Sequence, residues 1–180
     1  MITWKIITGI IIILGGLGVV ASYAIGAIKN PNGAQALWGG VSKNLIPLYT
    51  LGMFVSAIAF LASTYYIFFK IDASSVSMWP GLDFRFFIVI YLLILVPSAL
   101  WMTLTVRMVN NPGTGFEVGI RTVLILTAIG SLLLLISLAT LTPKVVDWTY
   151  WLALIGSALF FLHTAVLDAV IWTILFFRNY

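Results

Sequence analysis

Long apolar stretches alternate with short polar ones along the chain, and five of the apolar stretches predict helices. We expect them at about 4–28, 46–69, 84–106, 120–141 and 148–177. Each holds roughly 20 or more apolar-dominated residues, which matches a ~30 Å hydrocarbon core at 1.5 Å rise per residue. The runs are continuous and do not alternate every second residue, which excludes an outer-membrane barrel. The pattern predicts an all-α, polytopic integral membrane protein, a five-transmembrane-helix bundle with short loops that forms a single transmembrane domain over residues 1–180.

Composition agrees with this pattern. Hydrophobic residues make up 62% of the chain and charged residues 8%, with a mean hydropathy of +1.16, whereas soluble domains carry about 25% charged residues. The net charge of +4 is spread over short connections without a basic run, so we expect no nucleic-acid binding and only a modest attraction to anionic lipid headgroups. The absence of Cys excludes disulfides, thiolate metal sites and cysteine nucleophiles.

The first segment begins like a signal peptide, with Lys5 before an apolar run, but we expect it to be retained as a transmembrane helix. Its second half is rich in small residues, and Gly18, Ser22 and Gly26 repeat every four positions. Such a series lets another helix backbone approach closely. We therefore predict a helix-packing face here in preference to a ligand-facing one.

The connections carry turn residues and interfacial aromatic side chains. Residues 30–33 read Asn-Pro-Asn-Gly, a turn signal, and residues 70–83 form a polar loop in which Trp79 is an expected interfacial anchor. We also interpret residues 107–119 as a loop. The link at 144–147 is very short, which forces the fourth and fifth helices into an antiparallel hairpin.

The third segment has Pro97 in its middle, where the missing N–H predicts a kinked helix. The hydroxyl of Ser98 is expected to satisfy a freed carbonyl. Two interpretations stay open, a packing kink and the wall of a pocket, since broken helices often line cavities. Trp101 and Trp172 lie deeper than the interfacial Trp residues and are candidates for the floor of an apolar pocket.

The last segment contains two ionisable residues among apolar ones, His163, which is the single His of the chain, and Asp168. A charge at the centre of a membrane helix costs ~2.5–3.5 kcal/mol on insertion scales, so such residues are functional candidates by default. As an α-helix, the segment places them ~140° apart, on different faces. Asp168 then shares a face with Thr164, whose hydroxyl is expected to donate to the carboxylate. Both a structural role and a proton, cation or cationic-ligand site remain open.

Other chemistries find little support in the sequence. One His and one separated Asp without Cys predict no closed metal site, while haem ligation by His163 alone stays open and no cofactor is identified. A phosphate-binding loop, a Ser-His-Asp order and a nucleotide fingerprint are all missing. An intramembrane isomerase or hydrolase that uses His163 as acid and base is a third alternative, but the sequence shows no partners that would position it.

Five helices and seven Trp residues resemble the tryptophan-rich sensory (translocator) proteins, which bind porphyrins and sterols. The resemblance is one of topology. The proline-and-tryptophan motif of that family is absent from Ala36–Tyr49, so the resemblance implies no role for any residue of this chain.

An odd number of helices places the termini on opposite sides of the membrane, and the Lys and Arg residues suggest which side is which. The N-terminal side carries four of them: Lys5, Lys70, Arg85 and Lys144. The C-terminal side carries five: Lys29, Lys43, Arg107, Arg121 and Arg178. The distribution favours the N-terminus outside and the C-terminus in the cytoplasm.

Minimal loops, small-residue helix faces and the lack of a reaction motif favour a non-enzymatic protein, a structural or accessory subunit of a larger membrane complex. Its expected partners are the lipid bilayer and either other membrane subunits or a second copy of the chain. The alternative is a carrier or binding protein for a small hydrophobic or cationic ligand, or for a proton. The candidate polar site comprises His163, Thr164 and Asp168; the candidate pocket lining comprises Trp101, Trp172 and Ser98.

Overall fold

The computed structural model describes residues 2–29, 34–79 and 81–178, and within them five helices are long and apolar enough to cross a membrane. These helices are α1 (Ile2–Lys29), α2 (Ile46–Phe69), α3 (Phe86–Asn110), α4 (Thr114–Thr140) and α5 (Trp148–Phe177). They confirm the predicted all-α, five-helix bundle. The predicted turn at 30–33 lies outside the described residues.

The helix α5 is not uniform. It is α-helical over Trp148–Leu162, π-helical over His163–Trp172 and α-helical again over Thr173–Phe177. In a π-helix each backbone hydrogen bond joins residues five apart, whereas in an α-helix it joins residues four apart. The π-helix is rare overall, but the examples that occur are often found at functional sites. The π-helical segment contains every candidate polar residue of α5, so it decides which way each of them faces.

The outward faces of the helices are apolar. On α1, for example, the exposed side chains include Ile10, Ile13, Leu14, Leu17 and Val20. A continuous apolar surface of this kind drives association in water, whereas lipid tails are as apolar as the side chains themselves. The burial pattern is therefore that of an integral membrane protein.

The helices are arranged so that α3 lies between α1 and α4, and α5 lies between α4 and α2. The helix α5 therefore contacts neighbours on two sides. The antiparallel contact of α4 with α5 confirms the hairpin predicted from their short link.

Small residues of α1 pack against α3. A Cβ added at Gly15 would lie 2.8 Å from the Cβ of Leu95, and one added at Gly26 would collide with the side chain of Met102. A Cβ at Gly18 would make only ordinary contact with Ala99. Of the predicted series, Gly26 thus packs closely, and its partner is a helix of the same chain, while Gly18 makes only an ordinary contact.

Pro97 lies inside a continuous α3 and is buried. Its missing N–H frees the carbonyl four residues earlier, that of Leu93. The hydroxyl of Ser98 donates instead to the next carbonyl, that of Ile94, at 2.6 Å. A Cβ added at Gly130 of α4 would come within 3.1 Å of the carbonyl carbon of Leu93, so this part of α3 packs closely against α4.

The start of α1, residues 70–85 and residues 141–147 meet on one side of the bundle. The predicted loop at 70–83 contains a short antiparallel hairpin, β1 (Ser77–Met78) and β2 (Leu82–Asp83), and Ser77 also pairs with Thr142. The ammonium of Lys5 donates to the carbonyls of Phe68 and Ile71, near the end of α2.

An ion pair joins the two loops of this side. Lys70 Nζ lies 2.8 Å from Asp147 Oδ2, and the Asp147 side chain also accepts from the backbone N–H groups of Thr149 and Tyr150 at the start of α5. The Lys70 ammonium, followed by the Thr149 hydroxyl, holds the pKa of the Asp147 carboxyl well below its usual range. The Asp147 side chain therefore both caps α5 and fixes it to the end of α2.

The loop between α3 and α4 is shorter than predicted. We expected it over 107–119, but α3 continues to Asn110 and α4 begins at Thr114. The polar residues at the two helix ends were assigned to the loop. Membrane helices often carry such residues at their ends, where they reach the headgroup region. Glu117 lies in the first turn of α4, where the helix dipole favours an acid, and pairs with Arg121 at 2.9 Å.

Candidate functional site

His163 and Asp168 come together inside α5. The Nε2 atom of His163 lies 3.5 Å from Oδ2 of Asp168. The expectation that they occupy different faces is wrong, because it assumed α-helical geometry. In the π-helical segment His163–Trp172, residues five apart lie one above the other.

The pair lies about half way along α5 and is unevenly enclosed. Fifteen residues of α5 precede His163 and fourteen follow it, counted from Trp148–Phe177. The His163 side chain is 7% exposed, while that of Asp168 is 28% exposed. The His163 side chain is therefore shielded by protein, and the Asp168 side chain is only partly covered.

The imidazole packs directly on the backbone of α2. A Cβ added at Gly52 would lie 2.7 Å from Nδ1 and 2.9 Å from Cε1 of His163. Only a residue without a side chain leaves room for the ring at this position. The Nδ1 atom itself is buried without a hydrogen-bond partner among the described residues.

Thr164 bonds to α4 rather than to Asp168. Its Oγ1 shares a hydrogen bond of 2.7 Å with Oγ of Ser131, and it also lies within hydrogen-bond distance of the carbonyls of Phe160 and Phe161. The predicted bond from Thr164 to the carboxylate is therefore wrong. In the π-helical geometry Thr164 faces α4, and it ties α5 to that helix.

Aromatic side chains from three helices form a row that includes Trp172 of α5, four residues after Asp168. The rings of Trp101 and Trp172 contact each other edge to face with centroids 5.2 Å apart. Tyr23 of α1 packs on Trp101 at 5.4 Å, and Phe176 stacks on Trp172 at 4.4 Å. The structure thus brings together the two Trp residues predicted to lie deep in the bundle, while the hydroxyl of Ser98 is bonded within its own helix.

These rings fill space in the bundle. Two surface cavities lie elsewhere, one lined by Lys5, Gly9 and Phe68 and the other by Met108, Glu117 and Arg121. Neither is lined by His163 or Asp168. The candidate site is therefore distinct from both of these cavities, and it consists of the contact between the His163 and Asp168 side chains.

Two phenols complete the surroundings of Asp168. Tyr23 of α1 and Tyr49 of α2 both lie within electrostatic range of its carboxyl group. The Tyr49 hydroxyl donates to the carbonyl of Leu167 at 3.3 Å. Sequence reasoning missed Tyr49, Gly52 and Tyr23, because their place at the site follows from how α1 and α2 are positioned against α5, and the sequence of one helix carries no signal for that.

Chemically, an imidazole in contact with a carboxyl group can take up, hold and release a proton. Among the described residues there is no group of three or more His, Cys, Asp or Glu that could hold a metal ion. The imidazole and the carboxyl group are side chains that can bind a proton or a cation.

Comparison of the chain with protein-family models, curated proteins and solved structures finds no match. The resemblance to the tryptophan-rich sensory proteins remains one of helix number and Trp content. The role of His163 and Asp168 is therefore inferred from their positions and contacts in this structure.

Proposed function

We propose that this integral membrane protein is a carrier or binding protein that takes a proton or a small cation at the His163–Asp168 pair. The contact of 3.5 Å between the two side chains, in the middle of a membrane-spanning helix, supports the proposal most directly. Ionisable groups are costly in hydrocarbon, and they mark ion and proton pathways in membrane proteins.

The two residues have different roles in this proposal. Asp168 is the more exposed of the two side chains, and its carboxylate receives the proton or the cationic group. His163 is held against Gly52 of α2 and orients the carboxylate through Nε2. Tyr23 and Tyr49 provide hydroxyl groups within electrostatic range of the same carboxylate.

Proton uptake by purified protein in liposomes tests this proposal, with a trapped pH-sensitive dye as the probe and an imposed pH step. Asp168→Asn removes the titratable group with little change in volume, so we expect it to abolish the protein-dependent uptake. The matched control is Asp83→Asn, which removes an exposed carboxylate outside the membrane-spanning helices and should leave uptake intact. Equal proton uptake by the wild type and Asp168→Asn would contradict the proposal for protons. Equal binding of small amines by these two proteins would contradict the proposal for cations.

A structural or accessory subunit of a larger membrane complex is the second candidate, favoured by the exposure of α1. Only 6% of the most apolar window of α1 is buried, the lowest share among the five helices. This face leaves room for a helix of another subunit or of a second copy. The internal use of Gly15 and Gly26 against α3 weakens the candidate, because small residues are no longer free for a partner.

Size measurement in a mild detergent separates the two candidates. A subunit should co-purify in a larger assembly, and Asp168→Asn should mainly reduce assembly. A stable solitary monomer that loses proton or cation binding in Asp168→Asn agrees with the carrier instead.

We also infer that the N-terminus lies outside and the C-terminus in the cytoplasm, from four Lys and Arg residues on the N-terminal side against five on the other. Labelling of single cysteines placed at Ser75 and at Ser42, in a chain that has no Cys of its own, tests the orientation. An impermeant reagent on intact cells should label position 75 and spare position 42.

A further inference from the structure

Two buried polar atoms at the interface of α2 and α5 have no hydrogen-bond partner among the described residues, Ser56 Oγ and His163 Nδ1. Ser56 is 5% exposed and His163 6%. Leaving a buried polar group unpaired is destabilising, because the group has lost its hydrogen bonds to water and gained none in return. Because the two atoms lie on helices that face each other, one bound group could satisfy both of them.

The register of the two helices brings these residues close together. Three contacts define it: Tyr49 OH reaches the carbonyl of Leu167, Gly52 contacts His163, and Ser63 Oγ reaches the carbonyl of Ala153. The helices run antiparallel, and each step forward on α2 is matched by a nearly equal step back on α5. Ser56 lies one turn after Gly52, and therefore within about one turn, ~6 Å, of the imidazole along the axis.

Side-chain direction narrows the gap further. In a helix the Cα–Cβ bond tilts toward the N-terminus, so a side chain covers the turn before its own Cα. The hydroxyl of Ser56 is thus directed toward the turn that contains Gly52, where Nδ1 of His163 lies. The two atoms are not hydrogen-bonded to each other. Buried water molecules typically bond to polar groups that would otherwise stay unsatisfied in this way.

We infer that a water molecule held by Ser56 Oγ binds to Nδ1 of His163, and that the cargo of the site is a proton that reaches Asp168 through this relay. The inference rests on the proposed function and specifies its ligand. It gives both imidazole nitrogens a partner, Nε2 with Asp168 and Nδ1 with the water. A His with both nitrogens engaged can pass a proton from one to the other.

The relay begins with neutral His163 carrying its proton on Nε2, which donates to the Asp168 carboxylate. The water, protonated from the medium, gives a proton to the lone pair of Nδ1 and becomes neutral, and His163 becomes an imidazolium. The Nε2 proton then moves to the carboxylate, which leaves a neutral carboxylic acid and a neutral His163 protonated on Nδ1.

The groups around the pair fit this transfer. Tyr23 of α1 and Tyr49 of α2 are the titratable side chains that act on Asp168 from neighbouring helices. On α3 the indole of Trp101 packs on Trp172, and on α4 the hydroxyl of Ser131 bonds to Thr164; neither group carries a charge. Among the described residues no Lys or Arg forms an ion pair with Asp168, whose contact of this kind is with His163.

Solid-state NMR on the full chain in lipid bilayers tests the inference, because its single His makes ¹⁵N-histidine a one-residue probe. Transfer of magnetisation from water protons to Nδ1 should be rapid in the wild type and severalfold slower in Ser56→Ala. The matched control is Ser63→Ala, since Ser63 lies on the same face of α2 but bonds to the carbonyls of Ala59 and Ala153. This control should behave as the wild type.

The outcomes separate the inference from the proposed function. If Nδ1 receives no magnetisation from water in the wild type, or the same amount in Ser56→Ala, the relay is overturned. The proposed function survives that result if Asp168→Asn still loses proton or cation binding. If Asp168→Asn changes neither proton binding nor cation binding, the proposed function fails as well, whatever the NMR result.

Discussion

His163 and Asp168 face each other at 3.5 Å because the segment that carries them is π-helical. The same two residues in an α-helix would lie ~140° apart around the axis. Local backbone geometry thus creates the contact, and the residues of α1, α2 and α4 that surround it act on a pair that is already formed within α5.

The contact of His163 with α2 depends on Gly52. We expect Gly52→Ala to displace the imidazole, since the new Cβ would lie 2.7 Å from Nδ1, and overpacking of this kind costs about 1–3 kcal/mol. The ¹⁵N shifts of the single His should change together with the stability. Unchanged shifts in Gly52→Ala would show that the ring does not pack against α2 as described.

Two adjacent glycines of α1 give a matched test of its packing against α3. In Gly15→Ala the new Cβ would lie 2.8 Å from the Cβ of Leu95, which cannot rotate away, so we expect a loss of about 1–3 kcal/mol. At Gly16 nothing lies within 4 Å of an added Cβ, and Gly16→Ala should be neutral or gain up to ~1 kcal/mol from helix propensity. Unfolding in mixed micelles compares the two. Equal stability of the variants would mean that this face of α1 is not packed on α3.

The hydrogen bond between Ser131 and Thr164 should couple α4 to α5. A double-mutant cycle with Ser131→Ala and Thr164→Val is expected to give a coupling of about 0.6 kcal/mol and at most ~1.7 kcal/mol, as in other membrane bundles. The control cycle uses Thr127→Val in place of Ser131→Ala. The hydroxyl of Thr127 donates to the carbonyl of Val123 in its own helix. Its coupling to Thr164 should be close to zero, and a similar coupling in both cycles would argue against the bond.

The ion pair between Lys70 and Asp147 should make stability depend on pH in the acid range. Lys70 lowers the pKa of Asp147 in the folded state, so the folded protein favours the ionised carboxylate. This contribution is present above the unfolded value of about 3.9 and is lost as the pH falls toward the lower folded value.

Thermal unfolding between neutral pH and pH 3 measures this effect. The wild type should lose stability below about pH 4, and Asp147→Asn should lose less. Since Asp83 also has a lowered pKa, caused mainly by its bond to Arg85, Asp83→Asn is the matched control and should keep the Asp147 part. Identical profiles for the wild type and Asp147→Asn would be evidence against the ion pair.

The membrane-spanning helices could be predicted from the sequence because apolar length is a local property. The predicted 46–69 and 148–177 match α2 and α5. The start of α4 was placed too late, because Glu117 and its neighbours are residue types that occur both in loops and at the ends of helices. The pairing of Glu117 with Arg121, four residues later, is the signal that would have extended the helix.

The candidate site could be predicted only in part. The presence of His163 and Asp168 inside a span was visible in the sequence, but a π-helical turn has no pattern of apolar residues that separates it from an α-helical one. Gly52 and Ser56 look like ordinary small residues of α2. Their position against the imidazole depends on the register of two helices about 110 residues apart in the chain, as in the contact of Gly52 with His163.

The most direct test is the distance between His163 and Asp168 in a lipid bilayer. Dipolar recoupling between ¹⁵N-labelled His and the ¹³C-labelled carboxyl groups of Asp reports it, since the chain has a single His and the other Asp residues lie in loops. We predict strong dephasing at Nε2, in agreement with the contact of 3.5 Å to the carboxylate oxygen. A separation on the order of 10 Å, as between residues five apart on an α-helix, would contradict the π-helical contact and the proposed site with it.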